Sequence, residues 1–370
     1  MKISFLNFDL SNNSLGRAYI LAKMLSRKYE VEIIGPQFGN SIWSPVAKDT
    51  SIPYIMLSDS LRDLKNNLKK IDGDIIYAIK PYGTSYGYAL VKKFINKKPV
   101  ILDEDDWDFG FFLDKTKKQL FHDIFHIDLF NINNPLYTYL FGKLAFLADD
   151  ITVSSSFLQR KFGGTIIPHA RDAAMFNVNS NEVEKLKKKY NSENKTIIMF
   201  FGSVRKHKGI DIIVNALDRL DTKNILFMIV GVNEESQKII PQRLYIKTLP
   251  TQDFTKLPAI LSMADLVILP QKKSPATVGQ IPAKVFDAMA LGKPIIASDV
   301  SDLPLILKDC GLIFKAEDSA DLQNRIEFVL QNPNEAKILG IKAKEKFNTL
   351  YSFDSVEKNL FKIVDTIIQK

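Results

Sequence analysis

Residues 280–300, QIPAKVFDAMALGKPIIASDV, decide the fold that we expect for this chain. Pro282 is suited to the first turn of a helix, and Gly292 is suited to a left-handed helix end. Residues 294–297 then read as a buried strand. A helix over 282–291 with one buried face is predicted by apolar residues that recur at helical spacing, namely Val285, Phe286, Met289 and Ala290.

The same alternation of strand and helix runs along almost the whole chain. Helices fit between most neighbouring strands, for example over 15–28, 209–220 and 254–263. This pattern predicts an α/β protein with two doubly wound, Rossmann-like domains that face a shared ligand-binding cleft. The strands that we expect are 3–8, 31–35, 75–78, 100–102, 151–153, 166–167, 196–201, 226–230, 244–247, 266–269, 295–297 and 312–314.

The expected boundaries follow the two sets of strands. We expect an N-terminal domain over 1–170, a C-terminal domain over 171–352 and a last helix over 353–370. That helix is amphipathic, because one stripe carries Val356, Leu360, Ile363, Val364 and Ile367.

The bulk composition excludes several classes of protein. The single cysteine, Cys310, excludes an internal disulfide and a cysteine-rich metal site. No apolar run reaches the roughly 20 residues that a membrane span needs, and the N-terminus lacks the apolar region of a signal peptide. We therefore expect a cytoplasmic protein. The formal charge of +8 comes mostly from lysine clusters, which form either a solvated surface or one that attracts anionic lipid headgroups. No nucleic-acid-binding module is present.

Two segments offer binding groups for an anion. The loop FGSVRKHKGID, residues 201–211, follows a predicted strand and carries Arg205 and Lys208, which can meet phosphate oxygens. Small residues over 274–279 precede the helix that carries Asp287, whose carboxylate can accept from ribose hydroxyls. The alternatives are a basic surface loop for the first segment and an ordinary strand–helix unit for the second.

These two segments resemble the donor-binding segments of retaining GT-B glycosyltransferases of family 4, the glycosyl transferases group 1. The residues Gly292-Lys293-Pro294-Ile295-Ile296 and Lys208-Gly209 match the family pattern. Asp287 stands at the second position of the family's acidic pair, and Gly279 stands at the first. The family places that first acid against the donor sugar.

The resemblance implies roles for particular residues. Arg205 and Lys208 would be catalytic, because they would neutralise the departing diphosphate, and the last helix would pack on the N-terminal domain. No metal or other cofactor is expected. The donor-binding residues would be Gly16, Gly202, Thr248, Leu249, Gly279, Gln280, Ile281, Lys284 and Asp287.

Two further groups allow alternative interpretations. The run Asp103-Glu104-Asp105-Asp106 is either a cation site or, by the resemblance, a source of hydrogen bonds from Asp103 or Asp105 to the transferred sugar or acceptor hydroxyl. His122 and His126 have a spacing that some zinc sites use, and the alternative is a surface pair on a helix. Aromatic residues are frequent over 107–147, where they pack the core, line an acceptor groove or touch a membrane.

The resemblance predicts transfer of a sugar, of the hexosyl type, from a nucleoside-diphosphate sugar to a carbohydrate or lipid-linked glycan with retention. The expected setting is envelope polysaccharide or glycoconjugate synthesis, at the inner face of the membrane if the lysines bind anionic lipid. Two alternatives remain. One is a GT-B-like nucleotide-binding or partner protein without transferase activity, and the other is a GT-B-type nucleotide-sugar epimerase. A dinucleotide enzyme is disfavoured, because no Gly-x-Gly-x-x-Gly follows the first strand.

Overall fold

The computed structural model describes residues 1–128 and 130–369, which divide into two units. Within these residues, the first unit consists of 1–169, 278–281 and 356–369, and the second consists of 170–277 and 282–355. No helix among the described residues combines the length and the apolar character needed to cross a bilayer.

Each unit is built on one parallel sheet, as the alternating sequence pattern predicted. Over the described residues the strands are β1 Lys2–Asn7, β2 Glu30–Pro36, β3 Tyr54–Leu57, β4 Ile75–Ile79, β5 Val100–Glu104, β6 Asp150–Val153, β7 Thr165–Ile166, β8 Thr196–Phe201, β9 Ile225–Val232, β10 Ile246–Pro250, β11 Leu266–Leu269, β12 Ile295–Ser298 and β13 Leu312–Phe314. The first sheet has the order β3-β2-β1-β4-β5-β6-β7, and the second has the order β10-β9-β8-β11-β12-β13.

Both orders change direction at the first strand of the unit, β1 or β8. Parallel ladders join β1 to β2 and β4, and β8 to β9 and β11. A doubly wound sheet binds ligands beyond the carboxyl ends of its strands at this change of direction. The segments that follow β4, β8 and β11 are therefore the places to look for a site.

The helices connect and cover these strands. In chain order they are α1 Leu15–Leu25, α2 Leu64–Lys70, α3 Tyr88–Asn96, α4 Asp108–Leu113, α5 Lys117–Phe125, α6 Pro135–Lys143, α7 Ser156–Phe162, α8 Ser180–Lys189, α9 Ile210–Leu217, α10 Glu234–Gln237, α11 Leu257–Ser262, α12 Lys284–Ala290, α13 Leu303–Ile306, α14 Ser319–Gln331, α15 Pro333–Leu350 and α16 Phe353–Ile368.

The last helix, α16, has the amphipathic character that its sequence predicted. The five apolar residues of the predicted stripe are all buried. On its polar side, Asp365 accepts a salt bridge from Lys28 at 2.7 Å, and Glu357 accepts one from Arg27 at 2.7 Å. These ion pairs and the apolar stripe hold α16 in the first unit beside the end of α1.

Three details differ from the sequence prediction. Strand β3 was missed, because it is short, lies at the sheet edge and buries only Leu57. Strand β10 begins later than predicted, since Leu244 is fully exposed in the preceding turn. Helix α12 begins at Lys284, so Pro282 precedes the helix instead of occupying its first turn.

Candidate functional site

The second unit places Lys284 against the loop that follows β8. A side-chain Cβ on Gly202 would fall 1.7 Å from the Lys284 Cε atom, and Gly202 has a φ of 109°. Only glycine fits this conformation and this close approach. The predicted donor-binding residues Gly202 and Lys284 therefore meet, although they are 82 positions apart in the chain.

Asp287, one turn further along α12, is held by an arginine that the sequence analysis left without a role. The Arg171 Nε atom donates to the Asp287 carboxylate at 2.5 Å, and its second nitrogen lies 3.5 Å from the other oxygen. Asp287 is buried, with 6% of its surface exposed. A carboxylate has about four acceptor sites, so Asp287 retains capacity to accept from ligand hydroxyls.

Lys284 lies within electrostatic range of Asp287, of Arg171 and of Arg205, so three cations share this region: Arg171, Arg205 and Lys284. We call them the cationic group. Burial first, and then the charges of Arg171 and Arg205, lower the pKa of Lys284 to about 8, although Asp287 opposes the shift. A lysine whose pKa is lowered in this way gains from an added negative charge. The cationic group is thus suited to bind an anion at the carboxyl end of β8.

Lys208 lies in the same loop, on a short 3-10 turn over Lys206–Lys208. Its Nζ atom donates to the Gln271 side chain at 3.2 Å. Gln271 follows β11, the neighbour of β8 on the other side of the change of direction, and is 2% exposed. Lys208 is therefore held at the carboxyl edge of the sheet, where ligands of such sheets bind.

The backbone N–H groups at the start of α12 are less available than the sequence analysis expected. The Val285 N–H donates to the Pro282 carbonyl at 3.0 Å, and the Phe286 N–H donates to the Ala283 carbonyl at 3.1 Å. Tight bonds of this kind satisfy donors at a helix start. The side chains of the cationic group, more than this helix end, provide the positive potential.

The remaining donor residues of the second unit lie further along its sheet edge. Thr248 and Leu249 belong to β10, the outermost strand beside β9, and the ladder shifts register between Leu249 and Pro250. β10 is two strands from β8, or about 10 Å at the usual strand spacing. That span is of the size that separates a base from a diphosphate in an extended nucleotide.

Three of the predicted donor residues belong instead to the first unit, namely Gly279, Gln280 and Ile281. The Ser155 hydroxyl donates to the Gly279 carbonyl at 2.9 Å, and the Gln280 amide donates to Asp106 at 3.0 Å. A Cβ at Gly279 would lie 3.0 Å from the Phe157 ring. The position of the family's first acid is therefore packed against an aromatic side chain.

Gly16 also lies in the first unit, in the first turn of α1. It is buried, and a Cβ at this position would fall 3.0 Å from the indole ring of Trp43. The structure therefore places Gly16 under an aromatic side chain of the same unit.

Asp103, one of the two predicted sugar or acceptor contacts, is fully buried in an ion pair. Two Arg17 nitrogens donate to its carboxylate at 2.9 Å and 2.8 Å, and the Thr152 hydroxyl donates at 2.7 Å. Arg17 also donates to the Ile167 carbonyl at 2.8 Å. This network ties α1 to β5 and to the end of β7, so its evident role is structural.

Asp105, the other predicted contact, lies in an acidic cluster around a single lysine. The Lys80 Nζ atom is 3.0 Å from Asp105, 3.0 Å from Asp106 and 3.1 Å from Asp108. Lys80 directly follows β4, at the change of strand direction, and has a left-handed φ of 66°. The sequence analysis considered a metal ion bound among these carboxylates. In the structure, the Lys80 ammonium group lies there instead.

The carboxyl groups of the acidic cluster differ in their affinity for protons. Burial, and then the charges of Asp106 and Asp103, raise the pKa of Asp105 to about 7 against the opposing effect of Lys80. Burial also acts to raise the pKa of Asp106, but Lys80 and the Gln280 amide lower it to about 2. Asp105 is therefore the carboxyl group of this cluster that can exchange a proton near neutral pH.

The histidine pair forms a surface stack. The rings of His122 and His126 lie 4.2 Å apart at 16°, and both side chains are exposed. Among the residues that the structure describes, no group of three or more histidine, cysteine or acidic side chains is placed to hold a metal ion.

Sequence reasoning missed four residues of these groups, and all four carried a signal: Lys80, Asp108, Arg171 and Gln271. Three of them follow the carboxyl end of a strand, or come shortly after one, as ligand-binding residues of parallel sheets do. The fourth, Asp108, extends the acidic run that begins at Asp103.

Comparison with known proteins identifies part of the chain. Residues 182–346 match the model of the glycosyl transferases group 1. This confirms the resemblance that the sequence analysis drew from the segments around Lys208 and Asp287.

Several curated proteins are similar over part of their length. An Escherichia coli protein named as a colanic acid biosynthesis glycosyl transferase is 30% identical over 27% of this chain and 26% of its own length. An uncharacterized glycosyltransferase of Methanocaldococcus jannaschii is 24% identical over 48% of this chain and 53% of its own. The chain thus spans about a quarter to a half of these relatives.

Solved structures are similar over the whole fold. The Anabaena protein HepE, solved in complex with UDP, has a TM-score of 0.77 at 15% identity and covers 99% of this chain and 100% of its own. WaaG, a glycosyltransferase involved in lipopolysaccharide biosynthesis, has a TM-score of 0.68 at 13% identity, with 98% and 99% coverage. At these identities the likeness concerns the fold, and the two parallel sheets match those of GT-B glycosyltransferases.

Proposed function

We propose that the protein is a retaining glycosyltransferase that moves a sugar from a nucleoside-diphosphate sugar to a carbohydrate or lipid-linked glycan. The observation that carries the proposal is the cationic group beside Gly202, in which Arg171 pairs with Asp287 and the charges of Arg171 and Arg205 act on Lys284. The group 1 domain over 182–346 supports the same function, because it contains Arg205, Lys208 and Lys284.

In this proposal the positive charge acts on the leaving group. As the bond between the sugar and the diphosphate breaks, negative charge grows on the diphosphate. Arg205 and Lys208 stabilise that charge more in the transition state than in the bound substrate, which lowers the barrier. Asp287 accepts from ribose hydroxyls, and residues near Thr248 and Leu249 meet the base.

The acceptor side is proposed for the first unit, with Asp105 as the hydrogen-bonding partner of the transferred sugar or the acceptor hydroxyl. Its raised pKa and its position after β5 support this role. We also propose that the protein works in the cytoplasm at the inner face of the membrane, in polysaccharide or glycoconjugate synthesis. The lysine clusters and the exposed Phe121 and Phe125 support membrane contact.

The test begins with nucleoside diphosphates. A panel of UDP, GDP, ADP and dTDP should contain one that raises the unfolding free energy by about 2.7 kcal/mol at a hundredfold excess over Kd. With the matching sugar donor and a working acceptor, Lys208→Ala should lower kcat about 10²–10³-fold while changing Kd less. Lys206→Ala, two positions away on the same loop and exposed, is the matched control.

One observation favours a second candidate, a nucleotide-binding protein without transferase activity. The position of the family's first acid is Gly279, where an added Cβ would make a tight contact of 3.0 Å with Phe157. Product analysis separates the two functions. Tight binding of a nucleoside diphosphate without transfer to any acceptor in a broad glycan panel would support the second candidate, and full activity of Lys208→Ala would contradict the proposed role of the loop.

A further inference from the structure

The first unit contains a cavity that plays no part in the proposed donor site. It has a volume of about 310 Å³ and lies beyond the end of β5, between α4, α6 and α7. That volume is at the small end of the range for ligand pockets. Its wall is largely aromatic, with Trp107, Phe109, Phe146 and Phe162.

One of the polar residues at this wall is Glu104, the last residue of β5. Its side chain is 0% exposed, and neither carboxyl oxygen has a hydrogen-bond partner among the described residues. Successive strand residues point to opposite faces of a sheet. Glu104 therefore points away from the face on which Asp103 and Asp105 make their ion pairs, and lines the cavity instead.

An unpartnered buried carboxyl group indicates a missing ligand group. Leaving such a group unsatisfied destabilises the folded state. Burial, and then the charge of Asp108, raise the pKa of Glu104 well above its ordinary value. A protonated carboxyl both donates and accepts, which suits it to the hydroxyl groups of a saccharide, while aromatic walls suit the apolar face of a sugar ring.

Two lysines bring positive charge to the same cavity. The Lys161 Nζ atom lies 4.4 Å from the centre of the Trp107 ring, and the Lys143 Nζ atom lies 5.5 Å from the centre of the Tyr139 ring. Partial burial, and then the charge of Lys143, lower the pKa of Lys161. The two ammonium groups repel each other, so an anion between them is favoured.

The cavity also adjoins the acidic cluster and an apolar rim. Asp108 lines the cavity and is one of the three carboxylates around Lys80. On the outer side, the lining residue Phe146 is 73% exposed. A ligand here would meet hydroxyl-binding, anion-binding and apolar surfaces in turn.

We propose that this cavity binds the acceptor as a phosphorylated saccharide, with hydroxyl groups on Glu104 and the phosphate on Lys143 and Lys161. The inference rests on the proposed glycosyltransferase function and names its acceptor class. Two kinds of molecule carry both the hydroxyl groups and the phosphate. One is a free sugar phosphate, and the other is a lipid whose headgroup is a sugar attached through phosphate. For the lipid-linked form, the exposed Phe146 contacts the lipid chain.

Binding is measured through the tryptophan in the cavity. The chain has two tryptophans, so Trp43→Phe leaves Trp107 as the single indole reporter. The ligands are the 1-phosphates of glucose, galactose and N-acetylglucosamine, with methyl α-glucoside and dodecyl phosphate as comparisons. At least one sugar 1-phosphate should change Trp107 fluorescence saturably, and should bind about tenfold or more tightly than methyl α-glucoside. Tighter binding by a dodecyl-linked sugar phosphate than by the free one would assign the lipid-linked source.

Two variants test the contacts. Glu104→Leu should weaken sugar 1-phosphate binding by about tenfold or more, while its melting temperature stays equal to or above that of the parent, because a buried unpartnered carboxyl is removed. The double variant Lys143→Met, Lys161→Met should remove the preference for the phosphate over methyl α-glucoside. In both variants the affinity for the nucleoside diphosphate should be unchanged.

Three results would overturn the inference. The first is the absence of a fluorescence response to any sugar 1-phosphate at millimolar concentration, and the second is full affinity for the sugar 1-phosphate in Glu104→Leu. The third is dodecyl phosphate that binds as tightly as the sugar 1-phosphate, with an affinity that Glu104→Leu does not change. The nucleoside diphosphate measurement keeps the two proposals apart. Its failure in the parent protein would contradict the proposed donor site, whereas its success beside an unresponsive cavity would contradict only the acceptor assignment.

Discussion

Removing the charge of Lys284 should weaken nucleoside diphosphate binding and abolish most of its dependence on pH between 7 and 9. Lys284→Met keeps much of the length of the side chain beside Gly202 and loses the ammonium group. A charge-assisted hydrogen bond contributes about 1.5–3 kcal/mol, so Kd at pH 7 should rise about 10- to 150-fold.

The pH dependence of the parent protein follows from the lowered pKa of Lys284, which is about 8. The side chain is about nine-tenths protonated at pH 7 and about one-tenth protonated at pH 9. Only the protonated form makes the charged contact, so affinity is full at low pH and falls as pH rises through 8. With the contact free energy above, the parent should bind about five- to tenfold more weakly at pH 9 than at pH 7.

Isothermal titration calorimetry with the nucleoside diphosphate at both pH values gives the four affinities that are needed. Lys284→Met should show at most the small change that comes from titration of the ligand itself. Lys223→Met is the matched control, because Lys223 is exposed in the same unit at the opposite end of the sheet, just before β9. A parent affinity that does not change between the two pH values, together with unchanged binding in Lys284→Met, would refute the role given to the cationic group.

Two further predictions concern the first unit. Asp103→Ala should lower the free energy of unfolding in urea by about 3–5 kcal/mol, because the charge of Arg17 stays buried without its partner; a loss below about 1 kcal/mol would contradict the structural role of this pair. The pKa of Asp105 is raised in the folded state to about 7, so its contribution to stability is full below its unfolded value and is lost as pH rises toward 7. The melting temperature of Asp105→Asn, followed by calorimetry from pH 4 to 8, should therefore fall less with rising pH than that of the parent, and parallel curves would contradict the raised pKa.

The local sequence pattern determined most of the strands and helices of this protein and their order along the chain. The buried strands are nearly continuous apolar runs, such as Ile75–Ile79, because both faces of a parallel sheet are covered. The helix after residue 283 and its left-handed end at Gly292, with a φ of 65°, follow from apolar spacing and from the position of one glycine. These features depend on neighbours a few residues away, so periodicity alone predicts them.

The same local reasoning predicted that the loop with Arg205 and Lys208 and the helix with Asp287 are parts of a binding site, and this stays a prediction. It was less accurate where a segment's surroundings decide its role. The segment 279–281 carries a donor-binding pattern in the sequence, yet its contacts are with Ser155 and Asp106 of the first unit. Helix α12 starts two residues later than its proline suggested.

Only the tertiary structure decided which charged groups meet. Arg171 and Asp287 are 116 positions apart in the chain, and Arg17 and Asp103 are 86 apart. No local pattern marks these pairs, because strand order and register bring them together. Burying a charge is costly unless a partner is supplied, and in each pair the fold supplies that partner from a distant segment. Glu104, for which the described residues supply no hydrogen-bond partner, lines a cavity that the run of four acids did not reveal.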